Sequence, residues 1–203
     1  MSGLPELVLA SANPDKAREM VELLRGVARI LGRPAGLGEV EETGETLEDN
    51  ARLKALAVSD FARAAAVADD TGLEVDALGG APGVLSARYA GPGATYADNV
   101  AKLLGALAGV PPPARSARFR TVALARWPDG REVIGVGVVE GSITTEPRGD
   151  QGFGYDPVFA PSAGDGRTFA EMSAADKNRL SHRAKAFAEL AAGLAGPGGP
   201  PSR

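Results

Sequence analysis

The sequence predicts an α/β fold: a mixed central β-sheet flanked by helices, in two lobes with a cleft between them. Three observations carry that expectation. Short apolar runs alternate with amphipathic helical stretches through the first half of the chain, as strands and helices do when they layer around one core. After Pro111-Pro112-Pro113 the period becomes that of β-strands, with a turn at Pro128-Asp129-Gly130. A glycine-rich loop and an apolar helical stripe then close the chain.

Residues 7–10 are an apolar run bounded by polar residues and read as a buried strand. Pro14 suits the first position of a helix whose stripe is Met20, Leu23, Leu24 and Val27. A second helix starts near Thr46, which has capping-box spacing to Asp49, with Asp in place of Glu. Leu47, Ala51, Ala55, Val58 and Ala62 continue one face of it. Residues 65–68 read as a short strand, followed by Asp69-Asp70-Thr71-Gly72. Residues 73–90 are glycine-rich and read as irregular with short strands. A third helix is expected over residues 95–108, with Val100, Leu103, Leu104 and Leu107 inward. Residues 119–127 and 132–143 form a hairpin about the Pro-Asp-Gly turn, and residues 149–165 a glycine-rich loop. In the last helix Ala184, Phe187, Leu190, Ala191 and Leu194 share a face, with Ser181 as candidate N-cap. The triple proline reads as a corner between two halves. One domain is expected over residues 1–195 and a disordered tail over 196–203.

Composition narrows the function. At roughly 150 residues per domain, 203 residues suit one domain. The absence of Cys excludes disulfides, thiolate zinc sites, Fe–S clusters and a Cys nucleophile, and the single His, His182, excludes a multi-His metal site. No apolar run of 18 residues spans a membrane, and residues 1–10 do not resemble a signal peptide, so a cytoplasmic protein is expected. A net charge of −4 argues against a nucleic-acid partner. Only five of 22 basic residues are Lys: Lys16, Lys54, Lys102, Lys177 and Lys185. Where Arg is the default cation, a Lys marks a need for a compact ammonium, or chance.

Four constellations carry chemistry. Ser11-Ala12-Asn13-Pro14-Asp15-Lys16 joins the first strand to the first helix. Backbone amides at a helix start suit an anion; ordinary capping by Asn13 fits the same residues. Glu39, Glu41, Glu42, Glu45, Glu48 and Asp49 form an acidic run, and Asp69-Asp70 follows a strand. Most of the run reads as solvated, but adjacent acids against buried backbone need a partner, and Mg²⁺ is the natural cation between carboxylates and phosphates. In Phe153-Gly154-Tyr155-Asp156 an aromatic beside two glycines suits a planar ring, or a structural turn with both aromatics in the core. Lys177 to Arg183 places donors near a helix start, either for a ligand or as a solvated basic face. Jointly they describe a pocket for a nucleoside polyphosphate.

These segments resemble the Ham1-type inosine/xanthosine triphosphate pyrophosphatases. The resemblance rests on Leu9-Ala-Ser-Ala-Asn-Pro-Asp-Lys16, Glu41-Glu-Thr-Gly44, Thr46-Leu-Glu-Asp-Asn-Ala-Arg-Leu-Lys-Ala55, Ala68-Asp-Asp-Thr-Gly-Leu-Glu-Val-Asp76, the Gly79–Gly91 stretch, Gly152-Phe-Gly-Tyr-Asp-Pro157 and Ser181-His-Arg183, in that order over residues 7–194. It implies a Ham1/Maf-like fold with a substrate cleft, a homodimer, and Mg²⁺-dependent hydrolysis of ITP, dITP and XTP to monophosphate and pyrophosphate. Ser11, Asn13 and Lys16, with the intervening Ala12, Pro14 and Asp15, match the triphosphate-binding segment. Glu42 and Asp70 match the metal-binding acids, Asp70 also the general base, and Lys54 a phosphate-side lysine. Thr71 stands where Ser is frequent, and Ser11 where Thr is; either hydroxyl serves. Phe153, Gly154, Tyr155 and Asp156 match the base-stacking loop, and Lys177, His182 and Arg183 the purine-recognition strip. Two alternatives remain: a Maf-like pyrimidine nucleotide pyrophosphatase, disfavoured by the Phe-Gly-Tyr-Asp and Ser-His-Arg pieces, and a non-hydrolysing nucleotide-binding dimer, disfavoured by an intact Asp70 and Glu42.

Overall fold

A computed structural model describes residues 4–196. Beyond Gly196 the expected tail lies outside the described residues. The elements are β1 (Glu6–Leu9), α1 (Pro14–Leu23), β2 (Arg29–Leu31), α2 (Leu47–Ala62), β3 (Ala66–Val75), β4 (Pro82–Gly83), α3 (Tyr96–Ala106), β5 (Ser116–Arg126), β6 (Glu132–Ile143), β7 (Phe159–Pro161), α4 (Ala174–Leu180) and α5 (His182–Ala195). Among the described residues one mixed sheet runs in the order β2-β1-β3-β5-β6-β7, with β4 on β3. β1 is parallel to β2 and β3, whereas β3–β4 and β6–β7 are antiparallel. The expected α/β class with a mixed central sheet flanked by helices is the observed one.

Local chemistry sets most helix starts. Asn13 accepts from the amides of Asp15 and Lys16 and opens α1 on Pro14. Thr46 accepts from the Asp49 amide at the start of α2. Thr95 and Asp98 form a reciprocal capping box on α3. The hairpin turns where expected: the Gly130 amide donates to the Trp127 carbonyl at 2.9 Å, with Gly130 at φ +88°, a conformation L side chains rarely adopt.

Three expectations are corrected. β3 does not stop before the paired acids; it is ten residues long and carries Asp69 to Gly72 in its middle. Lys177 lies on a separate short helix, α4, capped by Ser173, so Ser181 ends one helix and precedes the next. The triple proline is not a boundary. Chain contacts divide the protein into one unit of residues up to Asp70, Thr121–Gly137 and from Arg183 on, and a second of Thr71–Arg120 and Val138–His182. Pro111 to Pro113 lies inside the second unit, beside a 3-10 turn at Pro112–Ala114.

Each unit has its own apolar core. The first gathers Leu7, Met20, Leu24, Val67, Phe187 and Leu190; the second Leu73, Leu103, Phe119, Phe159 and Phe169. In the first unit α5 lies directly on β6. A Cβ at Gly135 would stand 2.2 Å from the Ala186 carbonyl oxygen and 2.5 Å from the Leu190 amide. The Val136 amide donates to Glu189 at 2.7 Å across the same contact. We expect Gly135→Ala to cost about 1–3 kcal/mol by overpacking, read as a lower urea midpoint at an unchanged slope.

Candidate active site

In the first unit β3 outruns its neighbour. β1 pairs Leu9 with Val67 and then leaves the sheet, so Asp69 and Asp70 lie beyond the point where β1 gives way to α1. Both carboxylates are nonetheless buried, Asp69 1% and Asp70 4% exposed, and buried charge must be compensated. Lys16, three residues past the Asn13 cap, brings its Nζ to 3.5 Å from Asp69 Oδ2 and 4.0 Å from Asp70 Oδ1. Arg183, at the start of α5, donates from Nε to Asp69 Oδ2 at 3.1 Å and from Nη1 to Glu19 Oε2 at 2.5 Å. Lys54, buried on α2, donates to Glu42 Oε1 at 2.7 Å and to Asp70 Oδ1 at 2.8 Å. Asn50, one turn earlier on α2, donates to Asp70 Oδ2 at 3.4 Å.

Burial and charge pull the two aspartates apart. Burial alone would raise Asp69, but Lys16, Arg183 and Lys54 hold its carboxyl well below the usual carboxylate range. Asp70 goes the other way: burial raises it, Glu42 adds to this, and Lys16 and Lys54 do not fully offset the rise. Burial lowers Lys16, while burial of Lys54 is outweighed by Asp70, Asp69 and Glu42, which raise it. The array therefore holds one firmly ionised acid, a more basic carboxylate beside it, and two ammonium groups.

Two features bear on phosphate and metal. Asn13 Oδ1 already accepts from the Asp15 and Lys16 amides, at 2.9 and 3.2 Å, and Ser11 Oγ accepts from the Asn13 amide at 3.3 Å. The helix start is thus capped from within, Ala12 and Pro14 are exposed, and Asp15 pairs with Arg18 at 3.3 Å; from this segment Lys16 reaches the acids. Among the described residues no group of three or more His, Cys, Asp or Glu gathers into a metal cluster. Glu42 and Asp70 do converge on one cationic point, the Lys54 ammonium. Both are hard oxygen donors, the ligand type Mg²⁺ takes, and Mg²⁺ completes its shell with water and phosphate oxygens.

In the second unit the glycine-rich loop closes over Asp156. Asp156 Oδ2 accepts from the Phe153 amide at 2.8 Å and from Lys177 Nζ at 2.7 Å. A Cβ at Gly152 would stand 2.1 Å from that same oxygen, which is why glycine is required there. Lys177, 5% exposed, lies 5.0 Å from the centre of the Phe153 ring. Phe153 is half-buried and tilts against Tyr96 at 5.8 Å. Tyr155 points into the core, where its hydroxyl donates to the Ser86 carbonyl at 2.9 Å. His182 stacks on Phe119 at 4.5 Å and 22°. Thr71 belongs to this unit and is half-buried.

The structure thus gathers Lys16, Glu42, Lys54 and Asp70 in one unit, and Phe153, Asp156 and Lys177 in the other. Tyr155 and Gly154 shape the loop that carries Phe153. Arg183 is held by Asp69 and Glu19. The sequence reading singled out neither Glu19 nor Asn50. Asn50 had two available signals: it stands in the Thr46–Ala55 segment that carries the resemblance, and with Leu47, Ala51, Lys54 and Val58 it falls on the inward face of α2.

A family model described as the Ham1 family matches residues 7–193. The chain belongs to the Ham1 family. Its relatives include a dITP/XTP pyrophosphatase of Xanthomonas oryzae pv. oryzae, 51% identical over 191 residues, which cover 92% of this chain and 96% of that protein. Another, from Bacillus licheniformis, is 47% identical over 193 residues, 93% of this chain and 97% of that one. The solved structure of a HAM1 protein from Coxiella burnetii matches with a TM-score of 0.84 at 42% identity, covering 94% of this chain and 98% of that one. The Staphylococcus aureus Ham1 protein gives 0.82 at 37%, covering 93% and 97%. Membership in the Ham1 family leaves the Maf-like alternative without support.

The opposite shifts of the paired aspartates give a pH signature. Asp69, depressed in the folded protein, contributes stability above its ordinary value of 3.8 that is lost as pH falls through the lower folded value; Asp70, raised, acts with the opposite sign. We expect Asp69→Asn to cost on the order of 3 kcal/mol at neutral pH, by leaving Arg183 and Lys16 undercompensated. In urea titrations at stepped pH the gap to wild type should narrow below 3.8; a constant gap would count against this assignment.

Proposed function

We propose that this chain hydrolyses the non-canonical purine triphosphates ITP, dITP and XTP to the nucleoside monophosphate and pyrophosphate, removing them from the nucleotide pool. The observation that carries this is the buried array in which Lys54 joins Glu42 to Asp70 while Lys16 faces Asp69 and Asp70. Its four carboxylates, Glu19, Glu42, Asp69 and Asp70, face three cations, Lys16, Lys54 and Arg183. That the relatives above are dITP/XTP pyrophosphatases supports the same reading.

In this reading water attacks the α-phosphorus in line, its proton passes to Asp70, and the bond to the bridging oxygen breaks as pyrophosphate leaves. A carboxylate raised above its ordinary value is the better proton acceptor. Lys54 and Lys16 neutralise charge developing on the phosphoryl oxygens. Glu42 and Asp70 would hold Mg²⁺, which when bound supplies further positive charge at the phosphates. Phe153 offers a ring face to the base, and Lys177 and His182 donors. A 6-oxo purine accepts from such a donor; adenine, with an amino group there, leaves it unpaired. Arg183 acts from the acidic cluster, holding Asp69. The enzyme is read as a homodimer, as the family resemblance implies, and as cytoplasmic. Among the described residues no helix is long and apolar enough to cross a membrane.

The test is turnover with Mg²⁺ across ITP, dITP, XTP, ATP, GTP, dTTP and UTP, with both products identified. Preference for ITP, dITP and XTP with pyrophosphate released is expected; preference for a pyrimidine triphosphate, or tight binding without turnover, would overturn the reading. Asp70→Asn should abolish turnover while nucleotide still binds in calorimetry. Lys177→Ala should erode purine discrimination more than triphosphate affinity, and equal losses for every nucleotide would remove Lys177 from base recognition.

A further inference from the structure

Asn50 is fully buried in the middle of α2, one turn from Lys54. Its amide is used at both ends. Oδ1 accepts from the Gly44 amide at 2.8 Å, and Nδ2 donates to Asp70 Oδ2 at 3.4 Å. An amide side chain accepts on one arm and donates on the other without carrying charge. Asp70 is consequently held by two donors on different oxygens, Lys54 on Oδ1 and Asn50 on Oδ2, which sets the plane of its carboxylate. Gly44 lies two residues from Glu42, whose carboxylate takes the other bond from Lys54. The contacts close a ring: Glu42 to Lys54, Lys54 to Asp70, Asp70 to Asn50, Asn50 to Gly44, and back along the chain to Glu42. Gly44 itself is pressed against the helix start, since a Cβ there would stand 2.6 Å from Asp49 Cβ and 2.8 Å from Asn50 Oδ1.

We propose that Asn50 is a positioning residue for the hydrolysis: it orients Asp70 and, through the Gly44 backbone, holds Glu42 in register with it. This rests on the reading of Asp70 as the water-activating acid. Asn50 is fully buried and acts through the two carboxylates, so its loss should appear in the chemical step and not in nucleotide binding.

Asn50→Asp keeps an acceptor for Gly44 and replaces the donor to Asp70 with a like charge. The expected result is a kcat for ITP lower by on the order of a hundredfold, the cost of a misplaced catalytic group, with KM nearly unchanged and the thermal midpoint recorded beside it. Gly44→Ala disturbs the same ring without altering Asn50 or Asp70, and decides the matter if Asn50→Asp does not fold. It too should lower kcat with KM kept, and the two losses should combine less than additively. A folded variant that turns over at the wild-type kcat, or whose whole loss lies in KM, overturns the proposal. Asp70→Asn run alongside separates the two failures: if it retains turnover, the reading of Asp70 is what falls, and Asn50 falls with it.

Discussion

Everything in the first unit is organised by two adjacent carboxylates in a strand. Leaving Asp69 and Asp70 in water would have been simple; instead they are buried where β1 leaves the sheet. An ionised carboxylate without partners in that setting would cost far more than a protein's net stability. The fold therefore brings cations to it from three helices: Lys16 from α1, Lys54 from α2 and Arg183 from α5. The starts of α1 and α5 are thus constrained by charge as well as by apolar packing.

The same constraint explains why the aspartates diverge. Neighbours in sequence, they receive different cations at different distances. Asp69 has the guanidinium of Arg183 and the ammonium of Lys16, whereas Asp70 shares Lys54 with Glu42. Sharing matters: a cation divided between two carboxylates compensates each less, and Asp70 ends above its ordinary value while Asp69 ends below. Division of labour between like groups thus comes from the placement of their partners.

What was legible in the sequence was local. The cap at Asn13, the start of α2 at Thr46, the hairpin turn at Gly130 and the inward stripe of α3 depend on residues a turn apart, and they appear as expected. What failed depends on distant partners. Asp69-Asp70-Thr71-Gly72 looks like the end of a strand because nothing nearby tells that cations from α1, α2 and α5 will accommodate the charge. Seven residues of α4 are too few for a period to emerge. The partners within the basic stretch from Lys177 to Arg183 are equally distant in sequence: Lys177 binds Asp156 in the second unit and Arg183 binds Asp69 in the first. In the candidate site Lys16, Lys54, Glu42 and Asp70 were visible as charged residue types in a motif; Asn50 stood in the same motif as Lys54, but an uncharged amide gives no sign of the carboxylate it will meet.

The position of α5 in the chain has a consequence for synthesis. Ala186, Phe187, Leu190 and Leu194 fill a core whose other buried members lie between residues 7 and 127, and Arg183 is the last in the chain of the cations that face Asp69. Chains emerge from the ribosome N-terminus first. Until the final helix is made, the nascent first unit has Leu7, Met20 and Val67 without their cover and Asp69 without its guanidinium. The first unit thus cannot complete its core before its last turns have been translated, and its assembly is governed by contacts of long sequence separation, the slow class of folding event.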